Sequence, residues 1–206
     1  QGEGGIVTPQ TGWLKQLREL CNENNILLIL DEIQSGLGRT GKLFAFEHED
    51  IKPDGLILGK ALGGGLLPVS AFLSSKEVMN HFNPGSHGST FGGNPLAARV
   101  ASKALDLLFE DNLIENSKLM GSYLKEKLKE MNHSFIREVR GKGLWIGVEL
   151  DSNISAKKIC LSLMKDGILA KETHETIIRF APPLLIKKEE IDWAIKKINK
   201  VFQEYK

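Results

Sequence analysis

Asp31 and Lys60 are the side chains whose positions point most directly to chemistry. Asp31 closes an apolar run, Ile26 to Leu30, and Lys60 follows a second run, Leu56 to Leu58, with only Gly59 between. Short apolar runs that stop on turn residues read as buried strands of a parallel sheet, whose ligands sit beyond the carboxyl ends of the strands. Each of the two, acid and amine, is thereby placed at the ligand-facing end of a strand. From Gly55 to Ser75 Lys60 is the only charged residue, so its ammonium is expected in apolar surroundings. Desolvation disfavours the charged form of an amine and prepares it to attack a carbonyl.

An acid and a reactive amine at strand ends are what pyridoxal phosphate requires: the lysine takes up the aldehyde, and the carboxylate keeps the ring nitrogen protonated so that the ring can accept electrons. The stretch LILDEIQSGLGRTG, followed by DGLILGKALGGGLLPVSAF, resembles the cofactor segment of the subgroup III, ornithine-type aminotransferases of fold type I. The resemblance implies an α/β protein. Residues 1–110 would be the C-terminal part of a large mixed-sheet domain that binds the cofactor, and residues 111–206 a small α+β C-terminal domain. It further implies that Lys60 carries the cofactor and is catalytic, that Asp31 partners the ring nitrogen, and that Gln34 hydrogen-bonds the phenolic oxygen.

Three other stretches carry chemistry-bearing residues. FNPGSHGSTFGGNP, residues 82–95, is rich in turn formers and hydroxyls, and Ser89 and Thr90 with their open amides suit a phosphate. By resemblance this loop crosses a dimer interface, and Thr90 reaches the phosphate of the neighbouring subunit's cofactor in a homodimer. Glu3, the one charge in the loop Gln1 to Pro9, reads as an exposed loop acid on position alone; by resemblance it faces the substrate's carboxylate-binding arginine. That arginine is Arg179 in IIRFAPPL, where a charge in an apolar run needs a partner. Either a local acid pairs with it or, as the resemblance implies, it grips a substrate carboxylate as a bidentate fork. Arg140, in VRGKGL, reads as structural.

GLGRTGK, residues 36–42, matches the first seven positions of the phosphate-loop pattern, but Leu43 stands where the magnesium-binding hydroxyl belongs. DEIQS also intervenes between the strand and the first glycine, so a nucleotide hydrolase is the distant alternative and a tight loop around the cofactor the expected role.

These residues must be positioned by alternating helices and strands. Trp13, Leu14, Leu17, Leu20 and Cys21 recur at helical spacing ahead of the first strand. Ser74 and Glu77 have capping-box spacing for a short helix, and Asn94-Pro95 starts another that runs to about Glu110. A helix over 111–131, paired strands in IREVRGKGLWIGVEL, a helix over 155–164, strands at 167–170 and 176–180, and a final helix over 187–206 complete the chain.

Composition narrows the rest. A net charge of +1 with both signs interspersed argues against nucleic-acid binding, and no run is long enough to span a membrane. The five histidines are scattered singly, without ligand spacing, and no metal site is expected. Cys21 and Cys160, far apart and on apolar helix faces, read as core thiols in a reducing compartment, the cytoplasm or a mitochondrial matrix. The chain starts at Gln1, inside QGEGG, without methionine, and is expected to be a piece of a protein about twice as long. Within the resembled group, the ornithine members are the nearest, implying transfer of the δ-amino group of L-ornithine to 2-oxoglutarate. Acetylornithine and 4-aminobutyrate aminotransferases are the alternatives.

Overall fold

The computed structural model describes residues 1–205. They form two units: residues 9–37 and 43–112 make one, and residues 1–8, 38–42 and 113–205 the other.

The first unit is built on a three-stranded mixed sheet. β1 (Ile29–Asp31) runs parallel to β2 (Gly55–Leu58), and β3 (Ala71–Ser74) returns antiparallel to β2. The predicted strand at Ile26 to Leu30 is therefore shorter and later, and Asp31 is its last residue. It is also less buried than expected. Leu28 is buried, but Ile26, Leu27 and Ile29 are exposed. The physical reason is that β1 is an edge of the sheet, in the order β1-β2-β3, with no strand beyond it among the described residues.

Helix α1 (Trp13–Glu23) feeds β1, and its start is capped from afar. The Glu49 carboxylate accepts from the backbone amides of Gly12 and Lys15, each at 3.0 Å, satisfying donors that a helix start leaves open. Of the predicted apolar stripe Cys21 is buried, while Trp13 and Leu20 remain exposed. Asp54 then ties helix to strand. Its Oδ2 accepts from Arg18 Nη1 at 2.5 Å and from the Leu28 amide at 2.7 Å.

The short helix α2 (Lys76–Met79) is capped by Ser75, whose Oγ accepts from Val78 N, and not by Ser74. Ser74 Oγ is instead taken up by the Asp54 carbonyl at 2.5 Å, where β3 meets the start of β2. Asn94 caps α3 (Pro95–Glu110) as predicted, accepting from Ala97 N at 2.8 Å.

The second unit places three helices on one face of an antiparallel sheet. The strands β4 (Ile136–Lys142), β5 (Trp145–Leu150), β6 (Lys171–Thr173) and β7 (Ile177–Phe180) lie in the order β4-β5-β7-β6. The helices are α4 (Leu113–Glu130), α5 (Ala156–Lys165) and α6 (Lys188–Gln203). Alternate strand residues, among them Ile146, Val148, Leu150 and Ile178, enter one core with helix residues such as Leu163 and Phe202. All six are fully buried, each worth about 1.5–3 kcal/mol.

The strand expected at 167–170 is absent. Gly167, at φ 85°, closes α5, with Gly167 N donating to Met164 O and Ile168 N to Leu163 O. Those residues are used in leaving the helix, and pairing with β7 begins at Lys171. Small residues let backbones meet elsewhere. A Cβ on Gly121 of α4 would lie 2.1 Å from the carbonyl of Gly143 in the β4–β5 turn.

The Arg18 guanidinium beside it, with the Leu28 amide, holds the Asp54 carboxyl below the usual carboxylate range. A depressed carboxyl contributes stability that is complete above its unfolded pKa, near 4, and is lost as pH falls through the lower folded value. In the full-length protein, hydrogen-exchange protection of α1 amides should therefore fall between about pH 5 and pH 3. Arg18→Met should flatten that dependence, and an equal decline in both proteins would show that this pair does not hold the helix.

Candidate active site

β1 and β2 run in the same direction with Asp31 opposite Ile57, so their carboxyl ends share one edge. Asp31 is the last residue of β1, and Lys60 lies just beyond Leu58, the last of β2. Three extended residues span at most about 11 Å, so Lys60 cannot be further than that along the strand direction from Ile57. Asp31 is exposed, and its Oδ1 accepts from the Ile33 amide at 2.9 Å. That bond fixes the carboxylate and leaves Oδ2 to accept from another donor.

Lys60 opens a single 3-10 turn, Lys60–Gly63, with φ 44°. A left-handed conformation costs a non-glycine residue roughly 1–2 kcal/mol. The turn is supported by α3, whose buried Ala97 and Ala101 permit close packing. Lys60 itself is exposed. The apolar surroundings expected from its sequence neighbours are not supplied by this chain, because Leu66, Ala61 and the glycines after Gly63 turn outward with it.

Between Asp31 and Gln34 stands a residue that sequence reasoning passed over. Glu32 is buried, and its carboxylate accepts from the amides of Ala45 at 2.7 Å and Phe46 at 2.9 Å. Burial pushes its carboxyl pKa up, against those hydrogen bonds. The turn that carries Gln34 is closed by Gly36 N donating to Glu32 O. Strand alternation was the available signal: if Asp31 points out, Glu32 points in. Ser89 and Thr90 lie in an exposed loop, where Ser89 Oγ accepts from Gly92 N at 3.0 Å.

In the other unit, Glu3 and Arg179 meet. Arg179 Nη1 donates to Glu3 Oε1 at 2.9 Å, across 176 residues of sequence. The Arg179 side chain is 21% exposed and that of Glu3 74%. A pair with one member in water is worth under about 1 kcal/mol. Arg39 holds the chain just after β7: its Nη1 donates to Pro182 O at 2.6 Å and Leu144 O at 2.9 Å.

Arg39 also accounts for the glycines of the phosphate-loop lookalike. Residues 38–42 pack in the second unit, with Ser117 Oγ donating to Arg39 O. A Cβ on Gly41 would lie 2.9 Å from the Lys118 backbone. The glycines permit backbone contact, and Lys42 is exposed. No group of three or more His, Cys, Asp or Glu residues able to hold a metal occurs among the described residues.

The Aminotransferase class-III family matches residues 1–202. The chain belongs to the class III aminotransferases. An ornithine aminotransferase 2 of Staphylococcus saprophyticus is 56% identical over 98% of this chain and 51% of its own length. One from Staphylococcus aureus is 58% identical with the same coverage. Among solved structures, ornithine aminotransferase from Toxoplasma gondii, with partial occupancy of pyridoxal phosphate at its active site, superposes with a TM-score of 0.96. It is 44% identical over 99% of this chain and 49% of that one. Acetylornithine aminotransferase from Elizabethkingia anophelis gives 0.94 at 47% identity, over 99% and 52%. The chain thus spans about half the length of the relatives it matches.

Class III aminotransferases use pyridoxal phosphate, and the donor set here fits it: an oriented carboxylate and a primary amine share one sheet edge. The fold type I architecture expected from the sequence is that of these neighbours.

Arg39→Met removes two charge-assisted hydrogen bonds and should destabilise the full-length protein by about 3 kcal/mol. Lys42→Ala, at an exposed position, should cost less than about 0.5 kcal/mol. Urea midpoints test both; the reverse order, with nucleotide affinity lost on Lys42→Ala, would restore the phosphate-loop reading.

Proposed function

We propose that the protein carrying this chain transfers the δ-amino group of L-ornithine to 2-oxoglutarate, giving glutamate 5-semialdehyde and glutamate. The observation that carries the proposal is the Glu3–Arg179 pair at 2.9 Å, in a chain that also holds Asp31 and Lys60 at one sheet edge. Similarity to ornithine aminotransferases supports the same donor.

Residues 1–110 act as part of the large cofactor domain and 111–206 as the small domain. Pyridoxal phosphate, when bound, supplies a ring that withdraws electrons from the substrate carbon. Lys60 Nζ would bind its aldehyde carbon, Asp31 its ring nitrogen and Gln34 its phenolic oxygen. During turnover Lys60 Nζ removes a proton from the amine-bearing carbon of the donor and serves as the acid for the acceptor. Asp31, as a fixed anion, favours the protonated ring nitrogen by about 1.5–3 kcal/mol.

Arg179 recognises the α-carboxylate of 2-oxoglutarate through a bidentate fork, while Glu3 masks it when ornithine's ω-amine reacts. The magnitudes suit a switch. The resident pair is worth under about 1 kcal/mol, and a bidentate carboxylate adds hydrogen bonds of about 1.5–3 kcal/mol each, so the substrate displaces Glu3.

The enzyme works as a homodimer in which Ser89 and Thr90 contact the phosphate, Thr90 across to the neighbouring subunit's cofactor. Phe82 and Phe91 within that loop and Leu96 just after it are exposed, as expected of a surface that another subunit covers. A reducing compartment, the cytoplasm or a mitochondrial matrix, suits the two buried free thiols. Burial pushes the Cys160 thiol up to about 11.

The test is made on the full-length protein loaded with pyridoxal phosphate. Borohydride should fix the cofactor onto Lys60, and ornithine with 2-oxoglutarate should yield the semialdehyde that cyclises. Lys60→Ala should lower turnover by roughly a thousandfold. A label on another lysine, or faster turnover of N-acetylornithine than of ornithine, would overturn the assignment.

A further inference from the structure

Arg140 and Arg179 stand on one line across the second unit's sheet. Arg140 on β4 lies opposite Gly147 on β5, and Gly147 opposite Arg179 on β7. Directly opposite residues of an antiparallel sheet share a face. Val139, Val148 and Ile178, one step along each strand, enter the core with the helices, so both arginines rise from the other face with a glycine between them.

That glycine makes a slot, and the turn bearing Glu3 fills it. A Cβ on Gly147 would lie 3.1 Å from Ile6 Cβ and 3.2 Å from the Gly5 carbonyl oxygen. Arg140 grips the same oxygen twice, from Nε at 3.0 Å and Nη2 at 2.8 Å. Its Nη1 is held in turn by Glu138 at 2.7 Å and by Glu149. Two carboxylates on β4 and β5 therefore keep the planar fork from rotating, which a lysine's single ammonium could not reproduce.

The turn is held against its own preference. Ile6 is 2% exposed with φ 55°, a left-handed conformation that is a true outlier for a β-branched residue. Such strain persists only where surrounding contacts over-determine it. Here those contacts are the Arg140 fork on Gly5 and the slot over Gly147, two and three residues from Glu3.

We propose that Arg140 is a positioning residue for substrate selection: it clamps the Gly5 carbonyl so that Glu3 masks and unmasks Arg179 by side-chain rotation on a fixed turn. This deepens, and rests on, the masking role given to Glu3 above. Without the clamp the turn relaxes, Glu3 loses its place on Arg179, and the site discriminates less between an ω-amine donor and an α-amino dicarboxylate.

The experiment is a double-mutant cycle in the full-length, cofactor-loaded enzyme, reading the ratio of half-reaction efficiencies for ornithine and glutamate. Glu3→Ala should shift that ratio toward glutamate. Arg140→Met should shift it the same way by about tenfold, the worth of one charge-assisted hydrogen bond. Arg140→Lys should lie between, and it serves as the test variant if Arg140→Met does not fold. Combining Arg140→Met with Glu3→Ala should shift the ratio no further than Glu3→Ala alone. An additional shift in the double variant would overturn the proposal, since Arg140 would then act by another route. An unchanged ratio in both Arg140 variants beside a shifted one in Glu3→Ala would overturn it too while leaving the masking role standing. No shift in Glu3→Ala would remove the masking role and the proposal together.

Discussion

Parallel hydrogen bonding between β1 and β2 is the constraint on which the proposed chemistry depends. Two strands that pair in the same direction must finish at the same edge, so residues 29 apart in sequence become neighbours there. An antiparallel pair would send Asp31 and Lys60 to opposite ends. The register, Asp31 beside Ile57, is held outside the ladder as well, by Glu32 N on Ile57 O and by the Asp54 carboxylate at the entry to β1. The acid and the amine therefore have little freedom except in their side chains.

The second unit solves a different problem, holding the charged pair that the proposed masking role requires to separate. Its helix-covered face is a closed apolar core, rigid enough to carry Arg179 and Arg140 on the opposite face without letting their spacing vary. Arg39 secures the chain just after Arg179 by bonding to Pro182 O. Of the three arginines, Arg39 and Arg140 are tied to backbone carbonyls, and Arg179 meets the exposed Glu3.

Departures from the sequence reading share a cause in pairing and packing partners. Ile26, Leu27 and Ile29 look like a buried strand because their apolarity is real, yet all three are exposed, Ile29 on an edge strand and the other two ahead of it. The GLGRTGK run looks like a phosphate loop because both uses need glycines where backbones approach closely. Here the approaching atoms belong to Lys118 and Gly143, not to a phosphate. Lys60 lacks charged neighbours in sequence, but exposure is a property of what packs around a residue in space.

By itself the sequence determined the local elements and the chemical types at their ends. Apolar runs stopping on Asp31 and before Lys60, the Asn94-Pro95 helix start, the paired strands around Gly143 and the helical stripe of α6 were all legible, because period and capping act over a few residues. It also carried the family, through unbroken motifs. Only the tertiary structure decided that the Glu32 carboxylate takes the amides of Ala45 and Phe46, that Arg39 braces the end of β7, and that Arg140 grips the turn bearing Glu3. Those contacts join residues as far as 143 positions apart, and no local periodicity encodes which distant carbonyl a guanidinium will find.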